Sequence, residues 1–423
     1  MTFGAVKLGR VARTISGTGF PPAFQGNSAG EVPFIKVSDL ALDANRAGVE
    51  AANNWVSRSD LKVLGGRVAP AGSIVFPKVG AALLGNVRAR LLRPSAMDNN
   101  LMAVVPTGGD SRFWFYALSS IDLGEFSPGG PLPYVTDSQV RELQIPMPPL
   151  DEQRRIADFL DTETARLDQL LDARQSQAAL LSQRRGALLL SLVGGREDSR
   201  VPSGLEWMPT VPAHWSTVRL TLLARLGSGH TPSRSHPEWW VDPTIPWITT
   251  GEVAQVRDDR LETLTETRET ISRLGLANSA AEIHPRGTVV LSRTASVGYS
   301  AVMGVDMATS QDFATWTCGP RLEPYFLLWT LRAMHPWLVG ARAMGSTHKT
   351  IYMPDIQALR IPVPPLTEQH VIVDEIRSRL GHLDQVHDAL DAQALLVRER
   401  RQALITAAVN GQIDVSTAQG GRS

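Results

Sequence analysis

The chain is poor in several things at once. Its 423 residues include one cysteine, Cys318, so neither an intrachain disulfide nor a cysteine-rich metal site can form. It has no excess charge of either sign, with 42 Lys and Arg against 42 Asp and Glu. A neutral whole is not drawn strongly to a polyanion, so any nucleic-acid surface must be a local patch or be completed by a partner. Residues 1–145 carry 14 basic and 11 acidic groups, and residues 201–360 carry 14 of each. No apolar run approaches the roughly 18 residues of a membrane span. The longest, Ala187 to Val193, is interrupted by Ser191. Met1 to Gly9 lacks the apolar core of a secretory leader. A cytoplasmic protein is the expectation.

Signatures of catalysis are missing too. There is no GxxxxGK[ST] phosphate loop, no HExxH, no GxSxG and no Asn/Asp-Pro-Pro-aromatic tetrapeptide. Gly17-x-Gly19 and Gly227-x-Gly229 are too short for a nucleotide loop. Asp60-Leu61-Lys62 matches half of a nuclease motif, a tripeptide common by chance. The nine histidines show no metal-ligand spacing. The expectation is therefore a chain with no catalytic residues, no metal and no cofactor of its own.

What the chain does have is itself twice. Ile145-Pro146-Met147-Pro148-Pro149-Leu150-Asp151-Glu152-Gln153 recurs 216 residues later as Ile361-Pro362-Val363-Pro364-Pro365-Leu366-Thr367-Glu368-Gln369. The same offset relates Arg184-Arg185 to Arg400-Arg401 and Ala187-Leu188 to Ala403-Leu404. An offset that holds over about fifty residues without a gap marks continuous helix, because one inserted residue would rotate the whole apolar face. The Pro-Pro pairs suit a helix start, and Asp151, Glu152 and Glu368 complement its dipole. Alternating 4-and-3 spacing then gives one seam through Ile156, Leu160, Glu163, Leu167, Leu170, Arg174, Ala178, Leu181, Arg185, Leu188 and Leu192. A second runs through Ile372, Ile376, Arg379, Leu383, Val386, Leu390, Ala394, Val397, Arg401, Leu404 and Ala408. Gly194-Gly195 and Asn410-Gly411 close the two helices. On periodicity alone, a purely structural coiled coil or dimerisation stalk is the favoured reading of these segments.

The intervening regions match loosely and with gaps. Val32-Pro33-Phe34-Ile35 resembles Ile245-Pro246-Trp247-Ile248, and Pro70 to Lys78 resembles Pro285 to Arg293. Gly17-Thr18-Gly19 aligns with Gly227-Ser228-Gly229. Short β-branched runs at Ser73 to Phe76, Leu101 to Val105, Thr288 to Leu291 and Ala314 to Thr317 predict strands. Phe113 to Ser119 and Pro324 to Met334 predict helices. The predicted class is α+β. Two α/β domains, 1–145 and 201–360, alternate with two long antiparallel helices, 146–200 and 361–423, in a coiled coil with a pseudo-two-fold internal repeat.

The duplicated Pro-x-Pro-Pro-Leu-x-Glu-Gln element, each time opening a long helix behind a diverged globular domain, resembles the specificity subunit of type I restriction-modification systems. Ser203-Gly204-Leu205-Glu206-Trp207, Val211-Pro212-Ala213-His214-Trp215, Leu226 to Pro232 and Gly345-Ser346-Thr347-His348-Lys349 carry the same resemblance. It covers nearly the whole chain. The first copy departs from it: Gly129-Gly130-Pro131-Leu132-Pro133 stands where the Gly-Ser-Thr-x-Lys segment is expected.

The resemblance implies that each globular domain reads one half of a bipartite double-stranded DNA site. The helices would set the spacing and dock two methyltransferase subunits. S-adenosylmethionine, ATP and Mg would belong to the methyltransferase and the restriction/translocase subunits. Base reading needs donors and acceptors on loops. The candidates are Ser346, Thr347, His348 and Lys349, with Lys78 and Arg293 after the shared strand, then Lys36, Asn99, Asn100, Thr231 and Gln311. A solvated surface charge, or for Thr231-Pro232 a turn, is the plainer alternative. Candidates for holding partner subunits are Glu152, Gln153, Arg184, Arg185, Glu368, Gln369, Arg400 and Arg401. Two rival readings stay open here. One is a free-standing nuclease or methyltransferase. The other is a coiled-coil scaffold with protein- or carbohydrate-binding heads.

Overall fold

A computed structural model describes residues 3–345 and 349–415. It divides into two compact units, of which the first is assembled from two separate stretches of chain. The first joins residues up to 175 with those from 391 onward, and the second holds 176–390. Each unit therefore contains one globular head, the N-terminal part of the long helix that follows that head, and the C-terminal part of the other long helix.

In the first unit an antiparallel sheet runs Ala12–Ser16, Leu101–Pro106, Ile74–Pro77, Ala89–Arg90. A second sheet runs Trp55–Val56, Val32–Ile35, Ala96–Met97. The helix Ser111–Ser119 begins where the Asp110 carboxylate accepts the amides of Arg112 and Phe113, the usual remedy for orphan N–H groups. Its Phe113, Trp114 and Ala117 pack with Ile74, Phe76 and Val104. Ile156, Ala157 and Leu160 of one long helix join the same core, as do Ile405, Ala408 and Val409 of the other. The early turns of one helix thus lie beside the late turns of the other, and the two segments run antiparallel.

The second unit repeats this plan. Its larger sheet runs Ala224–Ser228, Phe313–Cys318, Val289–Ser292, Ser300–Met303, Thr263–Leu264, and its smaller one Glu269–Ile271, Ile245–Ile248, Ala308–Thr309. The helix Pro324–Trp337 starts under Glu323, whose carboxylate accepts the Phe326 amide. Leu189, Leu192 and Val193 share a core with Ile372, Val373, Ile376 and Leu380. A hairpin, Arg200–Leu205 with Met208–Pro212, is an addition of this unit.

The two long helices span Leu150–Val193 and Leu366–Val409, 44 residues each, or about 66 Å at 1.5 Å per residue. Their seams differ from the spacing argument at two repeated places. Leu170 and Val386 are exposed, while Leu171 and His387 turn partly inward. Arg379 is likewise exposed, and Leu380 is buried beside it, as Thr164 is in the first copy. The cause is local. The first turns of each helix lie on a globular core, so the buried positions follow the 3.6-residue turn through Leu160 and Thr164, and the 4-and-3 rhythm starts from there.

Candidate nucleic-acid interface

The sheet register fixes which residues of the two heads are equivalent. Ser16 pairs with Met102 as Ser228 pairs with Ala314. Gly17 therefore corresponds to Gly229 and not to Gly227, the match that the motif spacing suggests. Both glycines are obligatory. A Cβ on Gly17 would fall 1.7 Å from the Asp98 carbonyl oxygen, and one on Gly229 would fall 1.8 Å from that of Thr309. The chain crosses its neighbour too closely for any side chain.

Beside this crossing each head builds the same platform. In the first, the strand Ile74–Pro77 delivers Lys78, whose amide donates to the Asn100 carbonyl at 2.8 Å while its own carbonyl accepts from Val135 at 2.9 Å. In the second, Val289–Ser292 delivers Arg293, whose amide donates to Asp312 at 2.8 Å while its carbonyl accepts from Ile351 at 2.8 Å. Backbone bonds are shared and side chains are not. Lys78, Asn99 and Asn100 occupy the places of Arg293, Gln311 and Asp312.

Around the first platform, Asp98 accepts the Asn100 amide at 3.0 Å, and its own amide donates to Ile35. Lys36 follows Ile35 in the chain; its ammonium donates to the Gln25 side-chain oxygen at 3.2 Å. The structure so brings Lys36, Lys78, Asn99 and Asn100 together. Asp98 is 6% exposed. Burial raises its pKa, opposed by the bonds from Asn100 and the charge of Lys36. The folded carboxyl takes up its proton at higher pH than the unfolded one. Its contribution to stability is therefore full below the ordinary aspartate value and is lost as pH rises through the raised one. Asp98→Asn is expected to remove that slope. Urea midpoints for the wild type should rise relative to the variant on acidification from pH 7 to 4, and an unchanged difference would contradict the buried-carboxylate account.

Around the second platform the Thr231 hydroxyl donates to the Gln311 side-chain oxygen at 2.6 Å. The Arg293 guanidinium turns back onto the carbonyls of Gln311, at 3.1 Å, and Ile351, at 3.4 Å. Thr231 and Arg293 therefore brace the loop. Lys349 is exposed, and its carbonyl accepts from Ala295 at 2.9 Å. Ser346, Thr347 and His348 lie outside the described residues. Donors without an internal acceptor among the described residues are the Lys349 ammonium and the Gln311 amide here, and the Lys78 ammonium and Asn99 amide in the first head.

A second constellation, at the helix starts, is the one from which the motif draws its invariance between the two copies. Gln153 is 4% exposed and Gln369 is fully buried. Gln153 donates to Pro148 at 2.9 Å and accepts from Asp110 at 3.0 Å. Gln369 donates to Pro364 at 2.9 Å and to Arg321 at 3.0 Å, and accepts from Glu323 at 2.8 Å. Each glutamine ties a long helix to the cap of the head's own helix.

Comparison with known proteins decides the identity. The family described as the type I restriction modification DNA specificity domain matches residues 2–178 and again 212–385. The chain belongs to the type I restriction-modification specificity family. It is 21% identical to the type I restriction enzyme EcoBI specificity subunit of Escherichia coli, over 96% of this chain and 85% of that protein. It is 20% identical to the EcoDI specificity subunit of the same organism, over 91% and 90%. Its fold is similar to that of a chain solved in a study of complex assembly and conformational transition of the type I R-M system. There the TM-score is 0.70 at 20% identity, covering 97% of this chain and 98% of the other. The specificity subunit is the component of such a system that recognises DNA sequence. No helix among the described residues is long and apolar enough to cross a membrane.

Within this specificity subunit several of the predicted partner-binding residues have internal work. Gln153 and Gln369 are buried and bonded as above, so they offer nothing to another subunit. Arg185 pairs with Asp384 at 3.0 Å and Arg401 with Asp168 at 2.9 Å. These are the same pair under the 216-residue offset, each within its own unit. Glu152 pairs with Arg155 of its own helix. Glu368 accepts from Trp215 Nε1 at 2.9 Å and lies 3.0 Å from His214 Nε2. His214 Nδ1 faces Glu197 at 3.2 Å. This trio uses both ring nitrogens of His214 and anchors the added hairpin. Arg184 and Arg400 stay exposed. One turn before each stands an exposed leucine, Leu180 at 63% and Leu396 at 62%. The sequence pattern missed that repeated pair, which a search for apolar residues off both seams finds.

Proposed function

We propose that each head reads one half of a bipartite DNA site. The exposed, repeated helix positions Leu180 with Arg184, and Leu396 with Arg400, dock two methyltransferase subunits. The observation that carries the reading is the platform built twice on identical backbone bonds from different side chains. The same geometry then presents Lys78 and Asn99 in one half and Gln311 and Lys349 in the other, so two different sequences are read in one manner. On this reading S-adenosylmethionine, ATP and Mg act on partner subunits, which also supply phosphate contacts that a neutral chain lacks.

The test is co-expression with a cognate methyltransferase subunit and genome-wide mapping of methylated adenine. One motif in two parts with a fixed gap is expected. Exchange of residues 1–144 for the head of another specificity subunit should rewrite one part and leave the other. Alteration of both parts, or methylation that persists without this chain, contradicts the proposal.

A further inference from the structure

Each head buries an arginine between its helix and its larger sheet, contributed from opposite walls. Arg332 stands nine residues after its cap Glu323, as Ser119 stands nine after Asp110. Arg88 and Ser300 each stand two residues before the partners of Ile74 and Val289 in the sheet. In the second head Arg332 reaches across to the Ser300 carbonyl at 3.2 Å. In the first, Arg88 lies on the opposite wall and reaches toward the end of the helix, to Ile121.

The counter-ion differs. Arg46 meets Asp172 at 2.8 Å and Arg260 meets Asp388 at 2.7 Å, and these aspartates are 216 residues apart. One residue earlier, Asp259 in the second head corresponds to Asn45 in the first. Asp259 lies between Arg332, at 3.3 Å, and Arg185, at 3.7 Å. In the first unit the same surroundings hold a cavity of about 460 Å³. Asn45 lines it, with Arg88 and with Arg401, the equivalent of Arg185. The Asn45 side chain is consumed by the backbone of Asp39, Glu50 and Ala51.

The lining carries Arg46, Arg88, Arg90, Arg112 and Arg401 against Asp161 and Asp168. Three of the arginines are satisfied internally: Arg46 by Asp172, Arg112 by Asp161 and Arg401 by Asp168. No carboxylate lies within ion-pair distance of Arg88 or Arg90 among the described residues. Arg90 donates only to the Ser111 hydroxyl, at 3.3 Å. Arg88 is 8% exposed, and its Nε has no partner. Burial pulls Arg88 down to about 10, which still leaves it charged at neutral pH. A buried guanidinium without an anion is costly.

We propose that this cavity binds a phosphomonoester of mononucleotide size, its phosphate taking the place that the Asp259 carboxylate fills in the second unit. Arg90, with no carboxylate at ion-pair distance, and Arg88, with only the longer-range charge of Asp122, favour a dianion over a single carboxylate. The volume exceeds what a bare phosphate needs, and Phe115 on the wall offers a face to an organic group. The proposal does not depend on how the heads read DNA.

The test is calorimetric titration of the full chain with adenosine 5′-monophosphate, and with adenosine as the uncharged control. Saturable one-to-one binding of the nucleotide and none of adenosine is expected. Arg90→Gln, a partly exposed position, and Arg88→Met should each weaken it at least tenfold. Binding of a duplex carrying the methylation motif by the Arg90→Gln protein should be unchanged, which separates the cavity from DNA phosphate recognition. Adenosine binding as tightly as the nucleotide, no saturable nucleotide binding, or full affinity in Arg90→Gln would each overturn the proposal. So would loss of duplex binding in that variant.

Discussion

Replacing Gln369 by leucine is expected to destabilise the second unit by on the order of 3 to 5 kcal/mol, because each buried polar group left without a partner costs about 1 to 3 kcal/mol. Three backbone groups lose their partner at once, the Glu323 amide and the carbonyls of Arg321 and Pro364. Water cannot replace the amide, since Gln369 is fully buried. Gln153→Leu in the first unit orphans two groups, the Asp110 amide and the Pro148 carbonyl, so a smaller loss of about 2 to 4 kcal/mol follows. Eight of the ten tryptophans lie between Trp207 and Trp337, so fluorescence during urea unfolding reports mainly the second unit. Hydrogen exchange in Ser111–Ser119 and Pro324–Trp337 separates the two variants. Faster exchange should stay in the unit that carries the change. A Gln369→Leu protein within about 1 kcal/mol of wild type would show that the motif's glutamine serves something other than this joint.

That glutamine shows where the sequence was readable and where it was not. Its recurrence was plain, as were the prolines before each long helix and the glycines after it, because caps and breakers act over a few residues. The strands around Ile74, Leu101, Val289 and Ala314 and the helices at Phe113 and Pro324 were visible for the same reason. The role of Gln153 and Gln369 was not visible, since their partners Asp110 and Glu323 lie more than forty residues away. Arg185 and Arg401 stood as candidates for holding partner subunits for the same cause: an ion pair with Asp384 or Asp168 crosses from one helix to another. The register of Gly17 with Gly229 needed the sheet, because Gly17-Thr18-Gly19 and Gly227-Ser228-Gly229 offer two alignments and only strand pairing chooses. Of the candidate reading residues, pattern alone located the platform at Lys78 and Arg293. It did not separate the donors that stay outward from Thr231 and Arg293, which turn inward to brace it.

The two buried arginines lead to an expected contrast that tests the internal comparison itself. Arg332→Met should destabilise the second unit by about 3 to 5 kcal/mol, the usual cost of breaking a buried pair by removing one member. The side chain is 1% exposed, and its loss leaves the carbonyls of Asp259, Leu261 and Ser300 without their donor. It also leaves the Asp259 carboxylate, whose pKa burial already raises, with the more distant Arg185 as its ion-pair partner among the described residues. Adding Asp259→Asn should recover part of the loss, since a neutral amide there no longer needs a counter-charge. Arg88→Met in the first unit orphans no carboxylate. What it removes is the donor to Val87 at 2.8 Å, to the Asn86 side chain at 2.5 Å and to the Ile121 carbonyl at 3.5 Å, and with it a charge whose burial is unfavourable. A cost of about 1 to 2 kcal/mol follows. Urea unfolding followed by tryptophan fluorescence measures the first variant, and hydrogen exchange in Leu101–Pro106 the second. Equal costs would mean that Arg88 has a counter-ion as good as Asp259. The unequal costs expected here would mean that the first unit keeps a buried positive charge with no close ion pair, only the longer-range charge of Asp122.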